Sequence, residues 1–171
     1  MKKILIGCLA LSMLAITSCK KPAKVDGGTF TFKGNSYSVN SAIGNTTGDN
    51  AVVAISQPSN QYNQLQFTFF SDIEAGAQVF HYPIAGSYTV VRSAPADSTQ
   101  VQVSLQLTNG ATYNNTSYWP DTITGIQAAV TVSNGKLNIT LPSITMFNKA
   151  DTTRVDQGVL NATIKQTGDT Q

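Results

Sequence analysis

The residues with the widest chemical repertoire fall in one stretch. His81 is the single histidine, and Asp72 and Glu74 precede it by a few positions. One imidazole and two carboxylates are the parts of an acid–base pair or a cation site. Phe80, Tyr82 and Pro83 flank the histidine, however, and Ser71 with Glu74 fits a helix capping box. A structural or solvated role is therefore the expectation for all three. No nucleophile-elbow pattern supplies a serine for them. A zinc ion would be short of nitrogen and sulfur ligands. Asp121, Asp151 and Asp156 lack the Asp-x-Asp spacing of a calcium loop. The expectation is a protein that is not an enzyme and uses no metal and no cofactor.

A second cluster is aromatic. Tyr113, Tyr118 and Trp119 lie in the segment 109–124 with Asn114, Asn115 and Asp121. Aromatic planes beside amides are what a sugar- or peptide-binding loop presents, and they also serve to pin a long loop onto a sheet. Exposed, co-planar rings at Tyr118 and Trp119 would favour binding. A buried Trp119 would favour pinning.

The elements that must carry these residues read as short strands. Thr99 to Thr108 alternates strictly, with Val101, Val103, Leu105 and Leu107 on one side and glutamines and serine on the other, a period of two that no helix shares. Gln64 to Phe70 repeats the pattern with Leu65, Phe67 and Phe69. Ala51 to Ser56, Ser87 to Val91, Ser143 to Phe147 and Gly158 to Lys165 add further strands. Asn134-Gly135 between Gln127–Ser133 and Lys136–Leu141 is a strong hairpin signal, pairing Val132 with Leu137 and Val130 with Ile139. Gly34-Asn35 reads as a second such turn, setting Phe32 opposite Tyr37 and Phe30 opposite Val39. Pro142 should mark a bulge or an edge. Ala42 to Asn50 and 109–124 read as loops, and the capping box predicts one helical turn at most. The expectation is an all-β fold, an antiparallel β-sandwich of about nine short strands, with a small closed barrel as the alternative.

The chain begins with Lys2 and Lys3 and the thirteen-residue apolar run Ile4 to Ile16, broken only by Gly7 and Ser12. That run is too short for a membrane span, which needs about 20 residues, and suits a secretory signal. Ile16-Thr17-Ser18-Cys19 resembles a bacterial lipobox, with Cys19 the residue that receives lipid. The organisation read from this is a signal peptide over 1–18, a lipidated Cys and tether over 19–26, one domain over 27–167 and a polar tail over 168–171. Lys+Arg total 11 and Asp+Glu 9. Lys2 and Lys3 leave with the signal, and Lys20, Lys21 and Lys24 crowd beside the anchor. From Val25 onward six basic residues face nine acidic ones, which argues against a nucleic-acid partner. Cys8 leaves with the signal, so a lipidated Cys19 leaves no thiol for a disulfide, a metal or a nucleophile.

Signal, lipidated Cys and a small β-rich domain together resemble the lipoproteins of Bacteroidota, in which Ser18-Cys19-Lys20-Lys21 is a common kind of junction. Gly27-Gly28-Thr29-Phe30, Gly86-Ser87-Tyr88-Thr89 and Asn134 to Thr140 are similar to a β-rich domain of that group to which no function is assigned. The resemblance implies an outer-membrane lipid anchor. Lys20-Lys21-Pro22, in place of acidic residues after the Cys, favours the periplasmic face over the cell surface. The partners expected are the membrane through the lipid and a glycan or an envelope protein. Exported proteins of that group carry O-glycans at Asp-Ser/Thr motifs, which implies Ser98, Thr122 and Thr152 as candidate acceptors. Turn and cap chemistry explains the same dipeptides.

Each buried acyl CH₂ contributes about 0.8 kcal/mol to membrane binding, so two or three chains hold a protein durably. Cells fed labelled palmitate should label the wild-type protein and leave Cys19→Ala unlabelled. Equal labelling of the two would remove the anchor.

Overall fold

A computed structural model describes residues 26–45, 50–57, 61–74, 77–80, 83–109, 114–121 and 125–169. Cys19, His81, Tyr113 and Thr122 lie outside these residues, as does the signal segment. The described residues hold fourteen strands and no helix. In chain order these are β1 (Gly28–Phe32), β2 (Asn35–Ser38), β3 (Ser41–Asn45), β4 (Ala51–Ser56), β5 (Asn63–Phe69), β6 (Ser71–Glu74) and β7 (Ala77–Phe80). There follow β8 (Gly86–Val91), β9 (Gln100–Asn109), β10 (Asn114–Pro120), β11 (Gln127–Ser133), β12 (Lys136–Asn148), β13 (Gln157–Lys165) and β14 (Gly168–Asp169). The fold is all-β.

Twelve strands share one sheet, in the order β14-β3-β4-β5-β9-β8-β11-β12-β13-β1-β2, with β10 pairing both β9 and β12. β6 and β7 form a separate pair. The sheet is mixed, where an antiparallel one was expected. β14 pairs β3 in parallel, and β8 pairs β9 in parallel over Thr89↔Gln100 to Val91↔Gln102. The second of these needs no crossover helix, because the ladder is only three pairs long and residues 92–99 bring the chain back over that short length. Gly168–Asp169, expected in a free tail, is held by that pairing with Ile43 and Gly44. Thr167 reinforces it: its N–H donates to Ala42 O (2.7 Å), and its Oγ1 accepts the Ala42 N–H (3.0 Å).

The alternating patterns become the core. Val101, Val103 and Leu105 of β9, Leu65, Phe67 and Phe69 of β5, and Leu160, Ala162 and Ile164 of β13 are all buried. Phe30 and Phe32 of β1 are fully buried; Phe30 stacks on Tyr37 (4.7 Å, 13°) and Phe32 tilts against Tyr118 (4.7 Å, 60°). The Asn134-Gly135 hairpin has the expected register, Val132↔Leu137 and Val130↔Ile139. Pro142 falls where the β12–β13 register shifts, between Leu141 and Ile144. Its missing N–H suits a position that leaves the ladder.

Four expectations are corrected. The first hairpin turns at Lys33-Gly34, one residue earlier than expected. It sets Phe30 opposite Tyr37 and Phe32 opposite Asn35. Both turn residues have positive φ (50° and 77°), the requirement of a type I′ turn, whose second position favours glycine. The shift changes partners by two residues, so the apolar face survives. Ser71 to Glu74 is a strand and not a capped turn, because Ala77–Phe80 pairs with it along its whole length. Ser41–Asn45 is the strand β3, enclosed between β4 and β14. Within 109–124 the seven residues Asn114–Pro120 form β10.

Gly28 has φ +91°, and a Cβ there would sit 1.9 Å from the Thr163 carbonyl oxygen, so β1 can lie against β13 only with glycine at this position. Phe67, fully buried at the centre of β5, gives the plainest stability test. Phe67→Ala should cost about 3–5 kcal/mol, read from the urea unfolding midpoint. A loss below about 1 kcal/mol would mean that this core is not packed as described.

Candidate functional site

β10 is built by its neighbours. Its sequence, Asn114-Asn115-Thr116-Ser117-Tyr118-Trp119-Pro120, has no apolar alternation. Its first five residues pair with β9, from Asn114↔Asn109 to Tyr118↔Leu105, and its last three pair with β12 on the other edge, from Tyr118↔Asn148 to Pro120↔Met146. Successive side chains on a strand point to opposite faces. Tyr118 therefore turns inward and is 6% exposed, while its neighbour Trp119 is half-buried on the other face. The two rings lie on opposite faces, so they are not the exposed co-planar pair that would favour binding, and Trp119 is not fully buried either.

Tyr118 anchors a polar knot. Its hydroxyl donates to Asp156 Oδ2 (3.2 Å) and accepts from Lys33 Nζ (3.2 Å). Lys33 also forms a close ion pair with Asp156, and Asn148 Nδ2 donates to Asp156 Oδ2 (2.8 Å). The Lys33 ammonium lies 4.7 Å from the Tyr118 ring centroid and 5.5 Å from that of Phe32. Burial works against the charged ammonium, but the bonds to Asp156 and Tyr118 outweigh it and hold the Lys33 pKa above its usual value. The same bond from Lys33, helped by Asn148, holds the Asp156 carboxyl below 3.8. The knot ties the β1–β2 turn, β10 and the segment before β13 into one corner.

On the other side of that corner the turn 149–156 closes over Trp119. Lys149 N–H donates to Ser117 O (2.8 Å) and Asn148 N–H to Asp156 O (2.9 Å). Asp151 organises the turn from within. Its Oδ1 accepts the N–H (2.9 Å) and hydroxyl (2.5 Å) of Thr153, and its Oδ2 accepts the N–H of Asp156 (2.7 Å). The Asp156 N–H, followed by the Thr153 hydroxyl and N–H, holds the Asp151 carboxyl at a pKa of about 2. Asp97 makes the same turn, accepting the N–H (2.8 Å) and hydroxyl (2.5 Å) of Thr99. In both turns the middle residue, Ser98 or Thr152, is exposed. Asp121 pairs with Arg154 (2.9 Å), so the three carboxylates weighed for calcium are each engaged by backbone, hydroxyl or cationic partners. Among the described residues no group of three or more His, Cys, Asp or Glu side chains is placed to hold a metal ion. Asp72 and Glu74 stand exposed on β6, at the separate β6–β7 pair.

What the corner leaves open is a cleft of about 140 Å³, lined principally by Arg92, Trp119, Phe147, Lys149, Thr152 and Arg154. The Lys149 ammonium lies 5.0 Å from the Trp119 ring centroid, and the Arg154 guanidinium 5.0 Å from that of Phe147. A wider, shallower hollow of about 430 Å³ beside Asn115, Thr116 and Ser117 shares Asn148 and Lys149 with it. The aromatic–amide pairing visible in the sequence thus survives through Trp119 alone. Arg92, Lys149 and Arg154 are additions, drawn from two segments, the residue after β8 and the 149–156 turn, whose spacing carries no common signal.

Asp156 stabilises the fold fully above pH 3.8, and that contribution fades as the pH falls through its lower folded-state pKa. Asp156→Asn should be less stable at pH 7 by no more than about 1 kcal/mol, since the pair is over a third exposed. The variant should also lose less than wild type between pH 6 and pH 3, measured by urea midpoints. The same acid loss in both proteins would exclude Asp156 as a contributor. Compared with known proteins, the chain stands on its geometry alone: no family model, no curated protein and no solved structure matches it.

Proposed function

We propose that the chain is a lipoprotein held by Cys19 to the periplasmic face of the outer membrane. Its β domain acts as a non-enzymatic binding module that offers the Trp119 cleft to a glycan or envelope partner. The observation that supports this reading is the placement of Asp26, the last tether residue, and of the cleft at opposite ends of β13. Asp26, at the tether end, accepts the Gly28 N–H (3.2 Å) and pairs with Lys165 Nζ (2.5 Å). At the other end of β13, Gln157 lies opposite Phe147, which lies opposite Trp119. Eight residues of β13 separate the two, about 26 Å at about 3.3 Å per residue. The seven residues from Lys20 to Asp26 reach at most about 25 Å. The anchor holds Asp26 within that reach of the bilayer, and in this reading the cleft faces away from it. Lys20, Lys21 and Lys24 favour that orientation on an anionic surface.

Trp119 is the sole tryptophan, so its fluorescence reports the cleft directly. With the full-length lipidated protein in vesicles, lipids brominated along the acyl chain should leave the emission unchanged while aqueous iodide quenches it. Efficient quenching by bromolipid with protection from iodide would place the cleft at the bilayer and sink the proposal.

A further inference from the structure

The cleft is the cationic spot of an acidic domain. Three of the six basic residues after Val25, Arg92, Lys149 and Arg154, line it. Among the described residues neither Arg92 nor Lys149 enters an ion pair, whereas Lys33, Lys165 and Arg154 each have one. The carboxylate lining the cleft, Asp151, has both oxygens occupied by N–H and hydroxyl donors of its own turn. It therefore shapes the wall without competing for the cations that face it: Arg92 and Lys149 have no ion pair among the described residues, and Arg154 is shared with Asp121. Arg154 is also held at φ 58°, a left-handed conformation uncommon for a side chain of this size. That backbone conformation belongs to the turn that Asp151 closes, and it presents the guanidinium at the Phe147 face.

The remaining lining narrows the ligand. Trp119, Pro120 and Phe147 make an apolar wall, and Thr152 supplies a hydroxyl. A bare inorganic anion would leave the apolar wall uncovered. One pyranose ring has an apolar C–H face, hydroxyls at its edge and, when acidic, a single oxyanion. The neighbouring hollow, with Asn115, Thr116 and Ser117 and sharing Asn148 and Lys149, is polar in the way the next sugar of a chain would require. We propose that the cleft binds an acidic sugar unit, its ring against the Trp119 wall and its oxyanion between Arg92, Lys149 and Arg154. The proposal rests on the reading of this cleft as the domain's binding site.

The test uses full-length protein in detergent and follows Trp119 fluorescence. Methyl glucuronide should bind saturably and weaken as salt screens the cations. Methyl glucoside at the same concentrations should give no response. Inorganic phosphate should bind at least tenfold more weakly than the glucuronide. Lys149→Ala, whose side chain makes no hydrogen bond or ion pair among the described residues, should reduce glucuronide affinity at least tenfold. Arg154→Gly should do the same with the melting temperature preserved, because glycine accepts the left-handed backbone. Equal binding of glucuronide and glucoside would overturn the charge assignment and leave the cleft as a binding site. Phosphate binding as tightly as glucuronide would overturn the sugar assignment. Silence towards all three probes would remove the proposal and the cleft reading together.

Discussion

Everything of functional interest in this domain depends on one backbone constraint, the pairing of β10 on both edges. β8 and β11 connect the first half of β9 to the first half of β12, and β10 alone connects their second halves. An unpaired backbone group left at that junction would cost as much as a lost hydrogen bond. A polar, unpatterned segment is therefore drawn into a strand. Once it is a strand, the alternation of faces is compulsory. Tyr118 goes to the core side, where its hydroxyl gathers Lys33 and Asp156, and Trp119 goes to the outer side, where it becomes a wall of the cleft.

Charge is distributed around that strand with a clear division. The carboxylates of the 149–156 turn are turned onto their own backbone or onto the knot: Asp151 on Thr153 and Asp156, and Asp156 on Lys33, Tyr118 and Asn148. The cations of the same region project over aromatic faces, Lys149 on Trp119 and Arg154 on Phe147. Each cation–π contact at an exposed site is modest, about 0.5–1 kcal/mol. Its greater consequence is to restrict where the charge sits. The turn's acidic side chains thus stabilise the wall, and its basic ones define what the wall can meet.

Much of the fold was legible because most strands have one wet face and one dry one. Leu65, Phe67 and Phe69, or Val101, Val103 and Leu105, declare their orientation through a period of two that only a half-buried strand uses. The turn chemistry of Asn134-Gly135 set a register that the structure keeps. The site was less legible. Lys33-Gly34 competed with Gly34-Asn35, and glycine at the second turn position decided it. Ser71-Asp72-Ile73-Glu74 satisfied a local helix rule, yet pairing with Ala77–Phe80 outweighed a cap with no helix behind it. Arg92 meets Lys149 and Arg154 only because β8 and β12 end at one corner of the sheet.

The sequence by itself determined the all-β class, the core faces, the Asn134-Gly135 register and the placement of Pro142 at a break in the ladder. These are local consequences of side-chain period and backbone dihedral preference. Only the tertiary structure decided that β3 and β10 are strands, that Tyr118 and Trp119 part company, and that Arg92 shares a cleft with Lys149 and Arg154. Those outcomes follow from backbone hydrogen bonding between segments far apart in the chain. Every residue but proline carries the same N–H and C=O, so the side-chain pattern holds no record of that pairing.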